Sequence, residues 1–484
     1  MNEIPNRLWI ANAWADARSG STFPTTNPAT GEVITRVAEA RSEDVDLAVR
    51  AARSAMEDPA WRRMNPHVRA ELLWKLADAL EANADELAAL ETADNGKTYF
   101  ESRKVDLPSI VENFRYFAGM ADKVQGSTIP VAGPHLNYTL REPVGVVGVI
   151  TPWNFPLSLA AWKVAPALAT GNAVVLKPAE QTPLTALRLG ELAAQVGFPA
   201  GVLNVVPGFG PVAGSALVRH PDVDAIAFTG STEVGKIVMR EAADTLKKVS
   251  LELGGKSPNI VFADADLEGA VRGASTGIFY GKGEVCAAGS RVLVERSVYD
   301  EFVARFAARA ETMTVGDPMQ KATRLGAIVS EEQLERVMGY VESGKAEGAR
   351  LVTGGERTTV NGKGNFVKAT VFADVTPDMR IAREEIFGPV AAVIPFKDAA
   401  DAVAVANRTI YGLAAGVWTR DVGKAHRVAQ EIHAGTVWIN TYNQYDSASP
   451  FGGYKQSGFG RDLGWEAALE KYTQVKSVWV ALDR

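Results

Sequence analysis

The chain has 484 residues, more than one ordinary hydrophobic core organises, so two or three domains are expected. Its 51 Lys and Arg face 57 Asp and Glu, a net charge of -6 that argues against a phosphate-tracking surface and hence against nucleic acid. One cysteine excludes an intrachain disulfide, and apolar runs such as "VGVVGVI" fall far short of a bilayer span.

The opening "MNEIPNRLWIANAW" has no basic stretch followed by an apolar one, so no signal peptide and a cytoplasmic protein are expected. Residues 41–120 are helix-rich, as in "SEDVDLAVRAARSAM" and "HVRAELLWKLADALEANADELAALETADNG", bounded by Ser- or Asn-type caps and a closing Asn-Gly. The segment 127–145, "STIPVAGPHLNYTLREPVG", reads as extended and hairpin-like. From Val144 onward, short β-branched runs alternate with amphipathic stretches of helical length, the rhythm of βαβ units and a parallel sheet. The first series is "VGVVGVI" (144–150), "NAVVLKP" (172–178), "GVLNVV" (201–206), "DAIAFTG" (224–230) and "KVSLEL" (248–253). A second series follows: "NIVF" (259–262), "SRVLVE" (290–295), "VAAVIPF" (390–396), "LAAGVWT" (413–419) and "AGTVWIN" (434–440). Two α/β domains are the simplest account. The tail "EKYTQVKSVWVALDR" alternates like a strand and, with 127–145, has no place in either sheet; exposed strands of this kind suit oligomer contacts.

Two glycine-rich turns follow strands of the first series, where doubly wound sheets bind nucleotides. "PGFGPVAG" (207–214) carries one residue too many for the dinucleotide fingerprint, and "FTGSTEVGK" (228–236) opens a helix whose free N–H groups suit an anion. The latter also spells the front of a triphosphate loop, but Ile237 stands where that loop needs a hydroxyl for magnesium, which discounts an ATPase.

The only cysteine, Cys286, lies in "GKGEVCAAGSR". Taken alone it reads more often as a small buried hydrophobe than as a nucleophile. Thiol chemistry needs a thiolate, a base and donors for an oxyanion. His67, His135, His220, His426 and His433 show no metal-ligand spacing, so no metal is expected and a Cys-His hydrolase has no local signature. Glu252 ends an apolar strand before two glycines, where burial would raise its pKa toward that of a general base; a buried salt bridge is the plainer alternative. Asn154 in "TPWNFP" could donate to an oxyanion or simply form an Asx turn.

"TPWNFP", "KPAEQTP", "PGFGPVAG", "FTGSTEVG", "LELGGKSP", "GEVCAAGSR", "EEIFGPV" and "SPFGGYKQSGFGRD" stand in the order seen in NAD(P)-dependent aldehyde dehydrogenases, which the chain resembles from end to end. The resemblance implies an α/β fold with two doubly wound parallel-sheet domains and a small β oligomerisation arm. It puts a cofactor domain at 1–124 and 146–253, a catalytic domain at 254–455, and the arm at 125–145 and 456–484. It implies Cys286 as nucleophile, Glu252 as the base for water, Asn154 with the Cys286 N–H as oxyanion donors, and Lys163 in proton relay. For the cofactor it implies Thr151, Pro152, Trp153, Lys177 and Glu180. Further along, it adds Gly210, Gly214, Phe228, Gly230, Ser231, Val234 and Leu253, with Glu385 and Phe387 beside the nicotinamide ribose. The substrate tunnel it implies is lined by Phe155, Leu159, Trp162, Val285, Ala287 and Tyr445.

The expected reaction is oxidation of an aldehyde to its acid through a Cys286 thiohemiacetal and thioester. Glu180 would repel a 2′-phosphate, so NAD is expected over NADP. A homo-oligomer, tetramer or dimer, is expected from the arm. Glu284 stands where the family often has glutamine, a variant expected to leave Cys286 intact. The rival readings are a coenzyme A-acylating enzyme and a thioester-forming hydrolase without redox chemistry. Glu252 speaks against the first and the nucleotide motifs against the second.

Overall fold

The computed structural model describes residues 4–482. Val146–Ile150 is the centre of an eight-stranded sheet, and every residue of it is buried, as a strand covered on both faces requires. Parallel neighbours on one side are Ala173–Lys177 and Leu203–Val205; on the other they are Ala225–Thr229 and Lys248–Glu252. Strand order reverses between Val146–Ile150 and Ala225–Thr229, which opens a crevice at their carboxyl ends. The second sheet has seven strands, with Pro258–Val261, Arg291–Glu295, Val390–Phe396, Ala414–Trp418 and Thr436–Ile439 among them. Both expected series therefore form, each in one sheet. The second sheet is extended by Thr370–Ala373 and Arg350–Thr353, which the sequence reading did not single out.

Helices Ser42–Glu57, Pro66–Ala82, Ala84–Asn95 and Leu107–Met120 fill the expected 41–120 region. Asn65 caps the second through His67 N (2.9 Å), and Gly96 closes the third at φ 87°. The first differs in its cap. Ser42 is already inside the helix, and Asp44 instead accepts from the Arg41 N–H at 2.9 Å. Phe114 and Phe117 of Leu107–Met120 are fully buried in the core that joins these helices to Pro156–Ala169 and the first sheet.

His135–Pro143 pairs antiparallel with Thr473–Ala481 over nine residue pairs, and Thr128–Ile129 completes a third, separate sheet. Residues 456–484 do not all join it. Gly458–Phe459 pairs with Leu251 and Glu252 at the edge of the first sheet, and Trp465–Tyr472 packs on Pro156–Ala169. The end of the chain thus closes over the cofactor-type sheet before it reaches the arm.

Emptying the Phe114 site should cost about 3–5 kcal/mol, the range for truncating a buried phenylalanine to alanine. Phe114→Ala should accordingly lower the urea midpoint followed by far-UV circular dichroism, whereas truncating the exposed Leu246 should leave it in place.

Candidate active site

Cys286 lies between the helix Leu267–Phe279 and the strand Arg291–Glu295, on a loop with an uncommon backbone. Gly281, Lys282 and Gly283 follow one another at φ 55°, 63° and 71°. Lys282 bears a side chain there, at a cost of roughly 1–2 kcal/mol for an L-residue in this region. Gly283 has no alternative, because a Cβ would come within 2.2 Å of the Gly388 carbonyl oxygen. The thiol is half-buried, and burial, with Glu385 and Glu252 nearby, pushes its pKa up to about 12.

Glu252 ends the strand Lys248–Glu252, and its side chain is buried with neither carboxylate oxygen hydrogen-bonded. Gly452 makes room for it, since a Cβ on Gly452 would lie 2.5 Å from Oε1. Burial first, then the charge of Asp462, holds the Glu252 carboxyl well above the usual carboxylate range; Lys471, Lys163 and Arg461 pull the other way. Lys163 is not free. Its Nζ bonds Asp462 Oδ2, Lys471 bonds Asp462 Oδ1, and all three side chains are buried. These two ammonium groups keep Asp462 below the normal range although burial works against it.

Asn154 Nδ2 donates to Glu284 O at 2.9 Å, which leaves its second N–H to point elsewhere. The preceding loop is held by Asn95, whose Nδ2 donates to Trp153 O at 2.7 Å. Glu284 is buried beside Lys282, with Oε2 2.7 Å from Nζ.

The crevice of the first sheet collects the expected cofactor residues. Lys177, buried at its strand end, lies 3.2 Å from Glu180 Oε2, and Gly214 stands beside the Lys177 stem. A Cβ on Gly210 would meet open space. Ser231 Oγ accepts from Val234 N and caps Thr232–Ala242, whose amino end opens at Gly230 just past Phe228. Lys236, the lysine of the apparent triphosphate loop, turns away to Gln456 Oε1 (2.9 Å). Thr151 Oγ1 is buried without a partner, and Pro152 and Trp153 next to it are half-buried. Leu253, buried, packs on Gly235. Toward Cys286, Glu385 Oε1 accepts from Gly255 N at 3.0 Å, and a Cβ on Gly255 would come within 2.4 Å of the Cys286 carbonyl oxygen. Phe387 meets the edge of Trp153 with centroids 5.2 Å apart. A lysine–carboxylate pair, a glycine gap, a capped helix start and an orphaned hydroxyl suit a dinucleotide.

On the other side of the thiol the walls are aromatic. Phe155 stacks on Tyr280, and Trp162, Tyr445 and Phe451 meet pairwise at 5.3–5.8 Å. Leu159 and Val285 are buried, and Ala287 lies beneath, where its carbonyl accepts from Tyr442 OH. His67 and His220 face Asp122 and Asp46 on the helical flank. Sequence reasoning passed over Asp462, Lys471, Asn95, Lys282, Tyr280 and Phe451. Asp462 had a usable signal, the acidic residue closing "SGFGRD"; the others show only once the chain is folded. Among the described residues no cluster of His, Cys, Asp or Glu could hold a metal ion.

The chain matches the aldehyde dehydrogenase family over residues 14–478. It belongs to that family. It is 53% identical over 481 residues to the mitochondrial aldehyde dehydrogenase of Rattus norvegicus, covering 99% of this chain and 92% of the relative. The NAD+ complex of the Bacillus cereus aldehyde dehydrogenase superposes with a TM-score of 0.97 at 53% identity, over 99% of this chain and 97% of that one. An indole-3-acetaldehyde dehydrogenase of P. syringae, in complex with NAD+ and IAA, gives 0.97 at 46% identity, over 99% and 97%.

Burial pushes the Glu385 carboxyl up to about 7 against an ordinary 4.5, so the folded state binds its proton more tightly than the unfolded chain. Stability from this group is present below pH 4.5 and lost as pH rises through about 7, by up to about 3 kcal/mol. Glu385→Gln keeps the bond to Gly255 N and should raise the melting temperature at pH 8, with the difference closing at pH 5.

Proposed function

We propose that the chain oxidises an aldehyde to the carboxylic acid through a covalent Cys286 adduct, with NAD as oxidant and Glu252 as the base for water. The observation that carries this reading is a set of three side chains: a half-buried thiol, an unbonded buried carboxylate whose charge acts on that thiol, and the Asn154 amide bonded to Glu284 O two residues before Cys286.

Cys286 must first lose its proton, and the raised basicity of Glu252 suits it as acceptor. Sulfur then attacks the aldehyde carbon, and the new alkoxide takes hydrogen bonds from the second N–H of Asn154 and the Cys286 N–H. When bound, NAD supplies the two-electron oxidant that turns the thiohemiacetal into a thioester. The proton taken from Cys286 must leave Glu252 before hydrolysis; the regenerated carboxylate then takes a proton from water as the oxygen attacks the acyl carbon, and sulfur leaves as thiolate. Lys163, Asp462 and Lys471 form a buried charged cluster whose field acts on Glu252 and which suits passage of its proton outward.

Lys177 and Glu180 would hold the adenosine ribose, Ser231 and the helix start the pyrophosphate, and Glu385 and Phe387 the nicotinamide ribose. The aromatic walls of Phe155, Tyr280, Trp162 and Tyr445 suit an aliphatic or aromatic aldehyde. The third sheet exposes Leu136, Leu140, Val475 and Trp479, which supports a homo-oligomer, tetramer or dimer. One cysteine and no need of a disulfide suit the cytoplasm.

A panel of aldehydes differing in length and charge, assayed by NADH formation, should show turnover with apolar members, and coenzyme A should not accelerate it. Cys286→Ser should abolish NADH formation while NAD binding, read by tryptophan quenching, persists; undiminished oxidation would overturn the reading. Glu252→Gln should lower kcat by about a hundredfold or more and remove the rise of kcat with pH. Comparison of kcat/KM for the two dinucleotides should favour NAD, and a clear NADP preference would contradict the role given to Glu180.

A further inference from the structure

The loop that carries Cys286 is closed by a buried ring of polar contacts. Lys282 Nζ donates to both the backbone oxygen and Oδ1 of Asn95, each at 2.9 Å. Asn95 Nδ2 in turn donates to Trp153 O, which fixes the chain just before Asn154. Asn154 Nδ2 donates to Glu284 O, and the Glu284 carboxylate lies 2.7 Å from Lys282 Nζ. The circuit Lys282, Asn95, Asn154, Glu284 joins the end of the helix Ala84–Asn95, the oxyanion loop and the nucleophile loop. Lys282 and Glu284 are respectively 2% and 1% exposed, so water does not substitute for either.

We propose that Lys282 is a positioning residue for the oxyanion donors, acting through Asn95 and through its ion pair with Glu284, a role that rests on the reading of Asn154 given above. An amide group has two N–H bonds in one plane. Holding one of them on Glu284 O sets the direction of the other, so whatever fixes that carbonyl fixes the donor. Other contacts hold the loop as well: Glu284 Oε1 accepts from Val329 N at 3.2 Å, Glu284 N donates to Gly281 O at 3.1 Å, and Gly281 N donates to Glu101 Oε1 at 2.9 Å. Only the pair with Lys282, however, ties the Glu284 side chain to Asn95. The left-handed backbone of Lys282, set between two glycines, turns its side chain inward to Asn95. Replacing the lysine alone strands a buried carboxylate within two residues of Cys286. That group then takes up a proton or draws the loop out of place. A misplacement of about 1 Å in such a donor is enough for a hundredfold loss. Glu284 is therefore tied to Lys282.

Lys282→Met, the milder Lys282→Gln, and the double variant Lys282→Gln/Glu284→Gln test this. In the double variant the amide introduced at position 284 can donate to the one introduced at position 282 while still accepting from Val329 N, a neutral version of the same circuit. Three rates are compared: aldehyde oxidation, acylation by p-nitrophenyl acetate, which needs the oxyanion donors but neither NAD nor aldehyde, and alkylation of Cys286 by iodoacetamide, which needs the thiol alone. Both single variants should lose at least about tenfold in kcat and in acylation with KM within about threefold. Alkylation should stay within about twofold, and the double variant should return both lost rates to within about threefold of the parent. Wild-type rates in Lys282→Gln, parallel loss of alkylation and acylation, or a double variant as slow as the single would each overturn the proposal. If Lys282→Met is insoluble, Lys282→Gln and the double variant decide alone. If the parent oxidises no aldehyde, the proposed function fails, and the acylation series still decides the role of Lys282.

Discussion

A carboxylate buried without a single hydrogen bond is expensive, and the arrangement of this molecule around Glu252 follows from keeping it there. The strand Lys248–Glu252 delivers it to the carboxyl edge of the first sheet, and Gly452 gives up its side chain to admit it. Lys163 and Lys471 offset part of the cost, but each is already committed to Asp462. The cations are therefore near enough to keep the carboxylate ionisable and too occupied to neutralise it. A group in that condition retains its appetite for a proton, and the half-buried thiol and any water beside it are the available donors.

The two sheets contribute unequally. The first supplies a crevice, the Glu252 carboxylate and the Asn154 amide from the ends of parallel strands, positions that need only short loops. The second supplies the thiol from a loop with three consecutive left-handed residues, which no strand end would produce. Cys286 thus depends on side-chain contacts for its placement, whereas Glu252 is placed by the sheet's own ladder, between Thr229 and Gly458.

Ten strands of the two sheets were legible in the sequence because buried parallel strands read as continuous apolar runs. Arg350–Thr353 and Thr370–Ala373 were not, and Gly458–Phe459 has too few residues to carry a pattern at all. Cys286, Glu252 and Asn154 could be singled out from residue type and position next to strand ends or glycines. Asn95, Lys282 and Lys471 could not. A lysine in a sequence is ordinarily a solvated charge, and only packing decides that Lys282 bridges an asparagine to a glutamate. Glu284 shows the same limit from the other side, since reading it as an isolated exchange for glutamine overlooks the cation two residues away.

Gly452, Asp462 and Lys471, which enclose Glu252, all come from the closing stretch of the chain, beyond both sheets' parallel strands. On a ribosome adding about 5–20 residues per second, Glu252 emerges roughly 10–40 s before Lys471. Glu252 is thus enclosed only after Gly452, Asp462 and Lys471 have joined the fold, so the burial that raises its pKa depends on residues translated roughly two hundred positions later.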